Sequence, residues 1–174
     1  VNAAADSIFN GLVGLDANLS PVPDLATRWQ VSNDGKTYTF ELAEAKWHDG
    51  QPFTAADVKF TFEEILLKFH ARTKAGLGGV IAGIDAPSPR TVVFRLKAPH
   101  AALLRRLDVT EAPILPKHRF QSAADPNTAE ANLKPIGTGP FKLARYEKDA
   151  NVVLERNQEY FKQGLPKLDR LVLR

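Results

Sequence analysis

Polar and apolar positions alternate along this chain with two different periods, and each change of period marks an element. Ile8 to Leu15 is a short apolar segment interrupted by Gly11 and Gly14, with proline and polar positions following at Pro21 to Asp24. Trp29 and Val31 alternate with polar residues. After "NDGK", Tyr38, Phe40 and Leu42 alternate with Thr37, Thr39 and Glu41. Two such runs around Asp34-Gly35 predict a β-hairpin, because glycine accepts the positive φ of the turn. A third strand is expected over Ala45 to His48, closed by Asp49-Gly50.

The period then lengthens. Val58, Phe62, Ile65, Leu66 and Phe69 recur on one face of a helix, which predicts a helix from about Ala55 to Phe69 packed on a sheet through Val58, Phe62, Ile65 and Phe69. Thr54 stands where an N-cap belongs, and Asp57 three residues later can complete a capping box. Gly76, Gly78 and Gly79 end the pattern. Further strands are expected near Val80 to Asp85, Thr91 to Lys97, Phe141 to Glu147, Asn151 to Arg156 and Leu168 to Leu173. A short helix is expected from about His100 to Leu107, and Gln121 to Asn132 reads as a polar surface connection. The sum is an α+β fold with a largely antiparallel sheet and packed helices.

Composition narrows the function classes. With 174 residues the chain is long enough for one domain with a real core. Its longest apolar runs are too short to span a membrane. The net charge of +3 is small and its signs are interspersed, as in "LERNQEYFK", which argues against a nucleic-acid surface. There is no cysteine, hence no disulfide framework and no thiolate chemistry. The chain has no methionine and begins at Val1 without a leader, as a processed protein or an excised piece of a longer one would.

The richest cluster of proton-handling groups is "KWHDGQPFTAADVKF", Lys46 to Phe60. A hydrolase using His48 with Asp49 or Asp57 is the enzymatic reading, but it needs both groups at one substrate atom. Each residue also has a structural use: Asp49-Gly50 turns the chain, Thr54 caps, and Asp57 meets the helix N-terminus. The four histidines show no ligand spacing, so neither a metal nor a cofactor is expected. "PIGTGPFKL", Pro135 to Leu143, lacks the residues of a phosphate loop and reads as a glycine-rich bend into a strand. Trp29, Trp47, Tyr38, Phe40 and Phe62 read as core rather than as a stacking platform.

Four stretches taken in order resemble the family 5 extracytoplasmic solute-binding proteins of ABC importers, the oligopeptide-, dipeptide- and nickel-binding type. They are "LATRWQVSNDGKTYTFEL", "AKWHDGQPFTAADVKFTFE", "PIGTGPFKLARYEKDANVVLERNQEYF" and "PKLDRLVLR". The resemblance implies one lobe of a class II periplasmic-binding-protein-like fold, with solute closed between two lobes. It implies that residues 1–174 form a single domain from the first lobe, with 29–164 an inserted smaller subdomain and 1–28 and 165–174 the edges of the core lobe. It implies a periplasmic or cell-surface protein with no catalytic activity, whose partners are a small solute of peptide type and ABC permease subunits. In some such proteins the segments corresponding to Asp108, Val109, Thr110, Glu111 and Ala112 and to the loop after the long helix, His70–Leu77, approach the cleft, while Ser7–Leu12 lies near the hinge side; the resemblance thus implies Asn10, Asp108, Val109, Thr110, Glu111 and Ala112 as solute-binding residues.

Overall fold

A computed structural model describes residues 2–147 and 151–173. A first helix, α1 (Asn2–Ile8), leads into a two-stranded ribbon of β1 (Val13–Leu15) and β2 (Pro21–Pro23). The main sheet has four strands, β3 (Ala26–Val31), β4 (Thr37–Leu42), β5 (Ile81–Ser88) and β6 (Thr91–Leu96). They are ordered β3-β4-β6-β5 and antiparallel throughout. A second antiparallel sheet holds β7 (Phe141–Glu147), β8 (Asn151–Arg156) and β9 (Arg170–Leu173).

The hairpin β3–β4 turns at Asp34-Gly35 with Gly35 at φ +68°, and Asp34 accepts from the Lys36 N–H at 3.1 Å. Along β4 the alternation is clean: Tyr38, Phe40 and Leu42 are buried and the residues between them are half-buried. Ala45 to His48 is not a strand. Only Lys46 pairs, across the Asp49-Gly50 turn with Pro52, because the turn follows too soon for a ladder to extend.

The helix predicted over Ala55 to Phe69 is continuous but not uniform. It runs as α2 (Ala55–Phe60), a π-helical turn Thr61–Leu66 and a last turn α3 (Leu67–Phe69). Val58 and Phe62 are fully buried, and the Phe62 ring stands edge-on to Phe94 at 5.0 Å. Phe69 departs from the expectation: it is 45% exposed. The wider π turn sets back the phase of every residue beyond it, so Leu66 takes the buried place and Phe69 swings outward.

His70 to Leu77 is a second correction. Instead of a loop it forms helix α4 (Ala71–Leu77), with His70 as its N-cap. The expected helix at His100 to Leu107 shrinks to a 3₁₀ turn, Leu104–Arg106. Beyond it, α5 (Lys117–Phe120) and two more 3₁₀ turns within 126–132 carry the chain to β7. The main core gathers Phe40, Phe62, Phe94, Trp47, Leu103, Leu107 and Ile114 around the four-stranded sheet. A smaller cluster of Ala4, Ile8, Phe141 and Leu154 joins α1 to the three-stranded sheet. No helix is long and apolar enough to cross a membrane among the described residues.

Candidate functional site

The histidine and aspartates of the opening cluster do not converge. His48 is a stitch between segments: its Nε2 donates to the Gly139 carbonyl at 2.9 Å, its Nδ1 accepts the Gly137 N–H at 3.3 Å, and its own N–H donates to the Gly137 carbonyl at 2.9 Å. Burial pushes the imidazole down to about 4, against the Gly139 carbonyl that favours a charged ring. It is therefore neutral at pH 7, with both ring nitrogens occupied.

Asp49 pairs with a different histidine, His118, at 2.7 Å. Burial works to raise the Asp49 carboxyl, but the hydrogen bonds from His118 and the Gln51 N–H outweigh it and hold the group below its ordinary value. Asp57 is committed as well. Its Oδ2 accepts the Thr54 N–H at 2.9 Å and the Thr54 hydroxyl at 3.2 Å, while Oδ1 accepts the Lys117 N–H at 3.0 Å. The capping role holds, and a tie from α2 to α5 is added. A His48–Asp49 or His48–Asp57 hydrolytic pair therefore has no basis in the geometry.

The glycines of "PIGTGPFKL" serve close approach. A Cβ on Gly137 would lie 1.8 Å from the Ile8 carbonyl oxygen, and one on Gly139 would lie 2.5 Å from the same atom. The Gly139 N–H donates to that oxygen at 2.8 Å, so the bend closes the C-terminal end of α1.

Asn10 follows directly and is buried. Its Nδ2 donates to Asp24 at 3.0 and 3.2 Å and to the Tyr160 hydroxyl at 3.3 Å, and its Oδ1 accepts the Thr138 hydroxyl at 3.0 Å. Lys162 reaches the same Asp24 at 2.6 Å. One amide thus joins the chain start, the Gly-Thr-Gly bend and the "NQEYF" segment. Burial pushes the Tyr160 phenol up, so it keeps its proton. Periodicity gives no hint of this node, since its members lie far apart in the chain.

The same segment reaches the other expected loop. Gly11 lies flat against Leu107 to Val109, where a Cβ would come within 2.5 Å of the Leu107 carbonyl. The Val13 N–H donates to Leu107 at 3.1 Å, and the Ile114 N–H donates to Asn10 at 3.0 Å. Between these anchors Asp108 and Val109 are half-buried, Thr110 is exposed, and Ala112 is buried behind them. Asp108 closes its own turn through the Glu111 N–H at 3.3 Å and the Ala112 N–H at 2.8 Å.

Helix α4 packs against this turn. The Thr73 hydroxyl donates to the Glu111 carbonyl at 2.8 Å and meets His70 Nδ1 at 2.7 Å. The Glu111 carboxylate takes Arg72 at 2.8 Å and Arg106 at 3.3 Å. The structure thus brings together all three segments that the resemblance singles out: Asn10–Gly11, α4 and Asp108–Ala112. Arg72, Thr73 and Gly76 lie inside the expected His70–Leu77 segment, whereas Arg106 lies outside every segment expected at the site.

The family model of the bacterial extracellular solute-binding proteins, family 5 (middle), matches residues 20–174. The chain belongs to that family. A putative ABC transporter peptide-binding protein of Brucella ovis is 40% identical over 170 residues, which is 95% of this chain and 32% of the relative. The binding protein AgaA of A. tumefaciens, solved with agropinic acid, superposes with a TM-score of 0.87 at 33% identity, covering 98% of this chain and 34% of AgaA. The ABC transporter-associated periplasmic binding protein DppA of Helicobacter pylori, solved with the peptide STSA, gives 0.82 at 32% identity over 97% of this chain and 36% of DppA. The chain spans about a third of the length of the curated relatives it matches. In this family 5 frame the α+β architecture with antiparallel sheets is part of a periplasmic-binding-protein fold, and the family is one of solute-binding proteins rather than enzymes.

Proposed function

We propose that this chain supplies one wall of the solute site of an ABC-importer binding protein, and that the whole protein captures peptides or a related small solute outside the cytoplasm. The observation that carries the reading is the convergence of Asn10–Gly11, α4 and Asp108–Ala112, fixed by backbone hydrogen bonds and by Glu111. Asp108, Val109 and Thr110 face the solute; Asn10, Glu111 and Ala112 hold them in place, since the first two are committed to other partners and the third is buried. Residues 29–164 make the smaller subdomain of the first lobe, with 1–28 and 165–174 on its core. The location is periplasmic or at the cell surface, and the protein partner is an ABC permease.

A two-lobed design suits import because closure buries the solute and changes the surface that a permease reads. Peptides also need several hydrogen bonds in a cavity that excludes water. The test is titration of the complete natural protein with alanine di- and tripeptides, wild type against Thr110→Trp. The bulky indole should weaken binding by about tenfold or more with the melting temperature unchanged. Equal affinities in the two proteins would remove this wall from the site. The 174-residue chain alone should bind at about millimolar or weaker, since one open wall leaves each hydrogen bond in competition with water. Micromolar one-to-one binding by it would mean that the site is complete within this chain.

A further inference from the structure

We propose that Arg72 and Arg106, gathered on Glu111, form a corner of this wall that binds a carboxylate group of the solute. The inference rests on the wall proposed above and gives it a ligand chemistry. The Glu111 side chain is only 16% exposed and both its oxygens are taken, Oε1 by Arg72 and Oε2 by Arg106. Each guanidinium carries five N–H donors in a planar fork, and one carboxylate cannot satisfy two forks. Among the described residues, Glu111 is the only ion-pair partner of either arginine. The Arg72 side chain is 68% exposed and Arg106 35%, so unspent donors face outward.

The corner is built rather than incidental. Arg106 lies across α4 at Gly76, where a Cβ would stand 2.3 Å from its Nη1. Any larger residue there would displace the guanidinium, and a glycine in a helix is otherwise unfavourable. Thr73 pins the Glu111 backbone from the same helix, so Arg72 and Glu111 keep a fixed relation. Exposed ion pairs ordinarily contribute little. Here a mostly buried carboxylate holds two cations in register, which preorganises them for a second anion. The local charge agrees: Arg72, Lys74, Arg105 and Arg106 stand against Asp108 and Glu111.

Two sources can present that carboxylate, a peptide C-terminus or an acidic side chain. Titrating the complete natural protein with Ala-Ala-Ala, its C-terminal amide, and the amide of Ala-Asp-Ala separates them. Wild type should bind at least one of the two acid-bearing peptides about tenfold or more tightly than the neutral amide. In Arg72→Gln and Arg106→Gln that ratio should fall to about twofold or less, with partial recovery in Arg72→Lys, which keeps the charge but not the fork. A ratio unchanged in both glutamine variants overturns the proposal. If no peptide binds, the peptide reading fails, and the corner is still read directly by succinate titration of the arginine Nε–Hε resonances. Saturable shifts at Arg72 and Arg106 that vanish in Arg72→Gln support it; their absence overturns it.

Discussion

The four-stranded sheet β3-β4-β6-β5 and the three-stranded sheet β7-β8-β9 are both antiparallel, yet they cover their apolar faces differently. The first is closed by its own chain neighbours: α2, the loop around Leu103 to Ile114 and the Trp47 segment pack on it, and Phe40, Phe62 and Phe94 have no exposure. The second is covered on one face chiefly by α1, and Leu143, Val152, Leu171 and Leu173 are only partly buried. A groove of about 430 Å³ runs between α1, the strands and the 131–136 segment, with Leu133 and Tyr146 exposed at its rim. Local supply of helices decides the difference. Residues 55–77 give the main sheet its cover within the same stretch of chain, whereas β7 to β9 depend on a helix from the other end of the sequence.

The largest effects should come from the closed core. Phe94→Ala removes a ring in edge contact with both Phe40 and Phe62, and should cost about 4 kcal/mol in urea unfolding. Leu143→Ala, in the open cluster, should cost no more than about half of that because the site is already part-solvated. Equal costs would erase the contrast between the sheets. Next, Gly137→Ala forces a Cβ into the Ile8 carbonyl, backbone against backbone, and should cost about 3 kcal/mol while leaving the β4–β6 pairing intact.

The His48 stitch joins the two regions and gives a pH test. Its native pKa of about 4 lies below the ordinary 6.5, so the unfolded chain takes up the proton first as pH falls. Its contribution is complete above pH 6.5 and is lost between 6.5 and 4, by up to about 3 kcal/mol. His48→Gln should flatten that part of the stability profile; an unchanged slope would place the titration elsewhere. The smallest effects concern the cap. Asp57→Ala strands three donors, including the Lys117 N–H, and should cost about 2 kcal/mol, whereas Thr54→Ala loses one exchangeable contact and should cost under about 1 kcal/mol. Matching denaturation midpoints for the two variants would show that the tie to α5 carries no weight.

Much of the frame was legible because its signals are local. The β4 alternation, the Asp34-Gly35 and Asp49-Gly50 turns and the Thr54 start of α2 each follow from a few adjacent residues. What stayed hidden depends on distant partners. Phe69 fits the helical period and misses the core because a π turn intervenes. Gly76 reads as a stop and is instead the place where Arg106 crosses a helix. Of the expected site residues, the grouping of Asn10 with Asp108–Ala112 was legible through the family pattern. The arginines and Thr73, which hold that loop, belong to no motif.

The α1 docking site also bears on the order in which the molecule assembles. Asn10 and Thr138 are 128 residues apart, and the Gly139 N–H reaches back to Ile8. Such a junction closes a loop of about three-quarters of the chain, an entropy cost that the hairpins β3–β4 and β5–β6 do not meet. Those hairpins and α2 can associate while the ends are still free, so α1 and β7–β8 should join last and part first. Amide exchange in native protein should therefore be faster in β7 and β8 than in β4 and β6, and Gly137→Ala should widen that gap without touching the slow amides of the main sheet.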